Sequence, residues 1–208
     1  LNKSLATALS LAFHPLLVPS YLFYAVCYQL PGVVAQPALS DRWIVLAVVF
    51  GFTFLLPALG TGALYWFGRL DSLLLRERAQ RPLPLLFAAI SFAGATYLLR
   101  QPPFALLLGT MMLGMTLAVL LTLLISLRWK ISAHGVGVGG SFALFLLLHL
   151  TDVAGWASFW WLLAAAFLAL AVVSARLALD AHTPAQAWAG LGLGISVVMS
   201  LVLGVAFL

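Results

Sequence analysis

Seven stretches of this chain, near 5–29, 43–67, 84–100, 104–126, 135–150, 157–175 and 185–208, run almost without a charge, and their lengths decide what it can become. A helix rising 1.5 Å per residue needs roughly 20 apolar residues to cross the hydrocarbon of a bilayer. Inside hydrocarbon every backbone N–H and C=O must be satisfied within the protein, so runs of this kind cross as helices. A water-soluble fold would need enough charged surface to wrap them. Of the 208 residues 64% are hydrophobic and 7% charged, which excludes that alternative. The expectation is an all-α protein: one integral membrane domain over 1–208, a polytopic transmembrane bundle of about six to seven helices. Runs 84–100 and 135–150 are short, so each either tilts among its neighbours or is partly re-entrant. The first run lacks the charged start and small-residue cleavage site of a signal peptide, and we read it as a retained helix.

Sidedness follows from counting connections. The N-terminus and loops 68–83, 127–134 and 176–184 fall on one side, A; loops 30–42, 101–103 and 151–156 fall on the other, B. Side A carries Lys3, Arg69, Arg76, Arg78, Arg81, Arg128, Lys130 and Arg176, against Arg42 and Arg100 on side B. The positive-inside bias makes side A cytoplasmic, and a bacterial inner membrane is the expected location. The formal net charge of +5 sits in loops and not in a tail, which points to membrane orientation and anion binding and away from nucleic acid. A single cysteine, Cys27, permits neither a disulfide within the chain nor a thiolate metal site. His14, before Pro15, reads as a hydrogen-bonded helix residue at a kink. Arg69, Arg128 and Lys130 read as interface anchors. His149 and Asp152 read as interfacial groups on side B.

The chemically interesting residues gather on side A. "RERAQRP" (76–82) opens the third run, "KISAHG" (130–135) the fifth and "ARLALDAHTPAQ" (175–186) the seventh. Each of these helices begins on side A, and a helix start offers free N–H groups and the positive end of its dipole to an anion. In "HTPAQ", Thr183 suits the N-cap, Pro184 the first helical position and Gln186 the third, which completes a capping box. Ser132 caps the fifth run in the same way. Glycines at 135 and 139, and at 190 and 194, give each of these two helices a small-residue face for close packing in lipid. Such packing would bring His134 and His182 toward each other. Helix starts, guanidinium forks and two imidazoles together suit a phosphate or diphosphate group.

These fragments, in this order, resemble the type 2 phosphatidic acid phosphatase superfamily of membrane lipid phosphatases, whose motifs read K-x6-R-P, P-S-G-H and S-R-x5-H-x3-D. The chain has Arg81-Pro82, Ser132-Ala133-His134, and Ala175-Arg176 with five residues to His182. The likeness covers about 70–190, the expected phosphatase-like core. It implies that His182 attacks phosphorus to form a phosphohistidine and that His134 protonates the leaving group. It further implies that Arg81, Arg176 and Ser132 hold phosphoryl oxygens, with Arg78 or Arg76 standing in for a lysine that would fall at Leu74. The family aspartate that orients the nucleophile falls at Gln186, so Gln186 and nearby Asp180 are the candidate orienting residues.

Two readings follow. One is a lipid phosphatase acting on a lipid phosphate or isoprenyl diphosphate whose tail lies among the helices. The other is a catalytically weakened relative that binds an anionic lipid headgroup as a carrier, sensor or structural subunit. In both, the partners are membrane lipids. Neither calls for a cofactor or a metal: the histidines lack the paired positions that haem wants, and the paired aspartates of a magnesium-dependent prenyltransferase are missing.

Overall fold

The computed structural model describes residues 1–30, 32–75 and 77–206, so the expectation for Arg76 lies outside the described residues. The helices are α1 (Lys3–Ala12), α2 (Val18–Tyr24), α3 (Arg42–Phe50), α4 (Leu56–Trp66), α5 (Pro82–Leu99), α6 (Leu106–Ser126), α7 (Ala133–Leu150), α8 (Gly155–Ala178) and α9 (Pro184–Ala206). Among the described residues there is no strand. Six segments are long and apolar enough to cross a membrane: Leu39–Trp66, Arg78–Leu99, Leu106–Ser126, Ala133–Leu150, Gly155–Ala178 and Pro184–Leu201. The protein is thus an all-α integral membrane bundle. The two short runs are uninterrupted helices of 18 residues each, α5 and α7, with no re-entrant break.

The first run departs from the single helix expected of it. Pro15 has no N–H to give and its ring crowds the preceding turn, so the chain breaks over 13–17 into α1 and α2. Carbonyls near the break are then met by side chains. His134 Nε2 lies 3.0 Å from Ser10 O, Tyr21 donates its hydroxyl to Ala12 O at 2.9 Å, and Thr53 donates to Leu16 O at 3.2 Å. The break is therefore tied to three other parts of the chain, and α1 packs against α8 while α2 packs against α3 and α7.

A second irregularity lies between α3 and α4, where Gly51–Leu55 forms a π turn. Leu56 N–H bonds back to Gly51 O, which takes it away from Phe52 O. Pro57 cannot replace it, and the Ser91 hydroxyl from α5 bonds Phe52 O instead. On side B, Arg42 closes the loop before α3 by donating to the carbonyls of Cys27, Val34 and Pro37.

The tightest seam joins α7 and α9. A Cβ placed on Gly135 would come within 2.8 Å of Ala187 O, and on Gly139, Gly190 or Gly194 it would collide with Leu191 O, Ser132 O or Val136 O respectively. Backbone meets backbone at all four positions, as the two small-residue faces lead one to expect.

Candidate functional site at the starts of α5, α7 and α9

The seam fixes which polar groups meet at side A. Ser132, fully buried, caps α7 by accepting Gly135 N–H at 3.2 Å, while its own N–H donates 3.2 Å to Gln186 O in the first turn of α9. Arg81, at the start of α5, donates Nε to Leu75 O (3.0 Å) and Nη1 to Ile131 O (2.9 Å), the carbonyl just before that cap. Hydrogen bonds thus link the starts of all three helices.

The α9 start carries the expected box. Gln186 N–H donates to Thr183 Oγ1 at 3.3 Å, and Thr183 N–H donates to Gln186 Oε1 at 3.2 Å. The same Oε1 lies 3.2 Å from His182 Nδ1. Because a backbone N–H can only donate, the atom it reaches is the amide oxygen, and that oxygen takes its second hydrogen from the ring. His182 therefore carries its proton on Nδ1 and keeps a lone pair on Nε2. Burial, then the Arg81 charge, hold its pKa down to about 4, with Arg176 and Lys130 adding to the effect against the Gln186 hydrogen bond, so the ring is neutral at pH 7.

Arg176, in the last turn of α8, lies within electrostatic reach of His14, Arg81, His134 and His182. Lys130 and Asp180 line the same open depression as His182, Thr183 and Gln186. Asp180 takes a left-handed φ of 50° just after α8. Among the described residues the orienting partner of His182 is Gln186, not Asp180. Arg78 is directed at the C-terminal end of α6, where it bonds the carbonyls of Leu127 and Ser126. There its positive charge meets the negative end of a dipole.

His134 stands within electrostatic reach of His182, and the ring it touches is His14, at 5.7 Å between centroids and 78° between planes. Its Nε2 faces Ser10 O, a pure acceptor, so the proton is on Nε2. His14 in turn accepts Leu16 N–H on Nδ1 at 3.3 Å, which puts its own proton on Nε2. His14 and Lys130 are the members that sequence reasoning passed over. The signal for His14 was the His-Pro pair, since a proline break turns a histidine out of its helix. Lys130 was hidden among ordinary interface cations. Among the described residues no group of three or more His, Cys, Asp or Glu side chains gathers as a metal site would need.

A second feature adjoins the start of α7. A partly open apolar cavity of about 370 Å3 is bounded by α2, α5, α6, α7 and α9, and Ala133, adjacent to both Ser132 and His134, forms part of its wall. Set against family models, curated proteins and solved structures, the chain matches none of them.

Proposed function

We propose that the protein binds the phosphate of a membrane lipid at the side A cluster and hydrolyses it, with His182 as nucleophile. The observation that carries this reading is the double use of Gln186 Oε1, which accepts from Thr183 N–H and from His182 Nδ1 and so presents a neutral ring with a Nε2 lone pair beside Arg81, Arg176 and Lys130. Nε2 attacks phosphorus, the P–O bond to the leaving lipid alcohol or, in a diphosphate, to the leaving lipid monophosphate breaks, and the departing oxygen takes a proton from water. Water then cleaves the P–N bond and regenerates His182. Charge that builds on the phosphoryl oxygens is met by fixed guanidinium groups and helix starts, which need no rearrangement during the reaction. Glutamine fixes the tautomer, but it stabilises the developing imidazolium less than a carboxylate would. A slow enzyme is the expected consequence.

One observation favours the second reading, a headgroup binder without turnover. The His134 proton is directed at Ser10 O and away from a leaving group. Phosphate release from a panel of lipid phosphates in detergent, with parent, His182→Ala and His134→Ala compared, separates the two. Release abolished by His182→Ala supports hydrolysis. Release unaffected by both substitutions rejects the mechanism, and lipid phosphate binding without release supports the binder.

A further inference from the structure

The glycines of α7 divide between two duties. Gly135 and Gly139 have no room for a Cβ because the α9 backbone fills it. Gly137 and Gly140 are different: a Cβ on Gly137 would meet the Val18 side chain at 3.6–3.8 Å, and on Gly140 it would meet Val198 at 3.7 Å and Gly194 O at 3.8 Å, all ordinary contacts. Packing does not demand glycine at either place. Both line the apolar cavity, and the missing side chains are part of what makes the cavity.

The cavity has the shape and chemistry of a slot for hydrocarbon. Its wall follows α7 from Ala133 to Leu148 and α6 from Thr122 back to Leu107, about 22 Å on each helix at 1.5 Å per residue. That is most of the thickness of a bilayer's hydrocarbon. The threonines in the wall do not make it polar, because Thr110, Thr122 and Thr151 each bond a carbonyl of their own helix at 2.7–2.9 Å. Water finds no partners in such a space. The surrounding solvent is lipid, and the slot begins at Ala133, the residue between the Ser132 cap and His134 at the start of α7, so an occupant that reaches from the slot to the side A cations has an anionic head and a long apolar tail.

We propose that this cavity holds one hydrocarbon tail of the lipid whose phosphate sits at the side A cluster, and that Gly137 and Gly140 set the length of tail it accepts. The inference rests on the headgroup reading above and adds the selection of substrate by its tail. Tail and lipid solvent are equally apolar, so selection comes from fit within a fixed slot and not from escape from water. A side chain at 137 or 140 would block the slot about 6 Å or about 10 Å from Ala133 respectively. The two positions therefore act at graded depths.

The test is competition binding of short and long n-alkyl phosphates to purified full-length protein in detergent, with n-alkanols of matching length as uncharged controls. In the parent, affinity should rise with chain length and then level off. Gly140→Leu should weaken the long phosphate by at least about tenfold and spare the short one, and Gly137→Leu should move the cut-off to still shorter chains. Ala118→Leu, from the α6 wall at about the depth of Gly137, repeats the test from the other side in case an α7 variant fails to fold. An unchanged length profile in variants that elute and melt as folded protein overturns the proposal, as does a parent with no length dependence. If alkanols bind as well as phosphates and follow the same length profile, tail selection stands and the headgroup reading falls.

Discussion

Helix α7 presents two faces that look alike in sequence and differ in what they do. Toward α9, Gly135 and Gly139 let two backbones touch, and any added atom meets a carbonyl or amide. Away from that contact, Gly137, toward Val18 of α2, and Gly140, beside Val198 of α9, border the cavity and leave space that a side chain could enter. The first face spends its small residues on contact, the second on emptiness. The contact face also sets the register of the polar ends: with α7 and α9 locked, Ser132 N–H reaches Gln186 O, and Gln186 in turn orients His182. Rigidity at the seam thus supports ordered polar helix starts, while the other face leaves an apolar space open.

Five substitutions bear on this comparison. His182→Ala asks whether the seam assembles a reactive group at all; phosphate release should fall by about 10³-fold or more, with melting temperature held. Gly194→Ala attacks the seam itself. Its Cβ would collide with Val136 O and lie 2.6 Å from Gly140 N, so thermal melting in detergent should register a loss of about 3 kcal/mol, and headgroup binding should fall with it. Gln186→Ala leaves the seam's packing in place but removes its link to His182. The lost cap should cost about 1 kcal/mol in the melt, and release should drop by about tenfold as the ring loses its fixed tautomer.

The fourth, Arg81→Gln, is read in pH dependence. In the proposed mechanism only the neutral ring attacks, so kcat/KM for the parent should hold as pH falls from 7 and drop through the free protein's pKa of about 4. Without the neighbouring cation the protonated ring becomes easier to form, and the acid limb should move to higher pH, toward the ordinary histidine value. A limb that stays in place would mean that the Arg81 charge does not act on His182. The smallest effect belongs to Gly137→Ala, on the open face. Its methyl fits, and the helix gains from losing glycine, so the melt should change by no more than about 1 kcal/mol, and upward. A large loss there would erase the distinction between the two faces.

Much of this was legible in the chain. The Thr183-Pro184-Gln186 box is a local pattern, complete within one turn, and the structure forms it as the spacing predicts. The small-residue faces at 135/139 and 190/194 were equally legible, because packing in lipid rewards close backbones whatever surrounds them. The partner of His134 was not legible. It depends on which carbonyls the break at Pro15 leaves without a helical donor, and on α1 folding back so that Ser10, 124 residues away, reaches the start of α7. Arg78 shows the same limit. Sequence offered it to a phosphate, whereas the structure directs it to the end of α6, 49 residues further along the chain.

By itself the sequence determined the helical membrane bundle and the gathering of cations and imidazoles at helix starts on one side. Hydrophobic run length and capping chemistry are properties of neighbours along the chain, so they can be read there. Only the tertiary structure decided that His14 joins His134, that Gln186 and not Asp180 orients His182, and that half of the α7 glycines border a cavity. Each of those depends on distances between segments far apart in sequence, where a shift of one residue in helix register would change every partner.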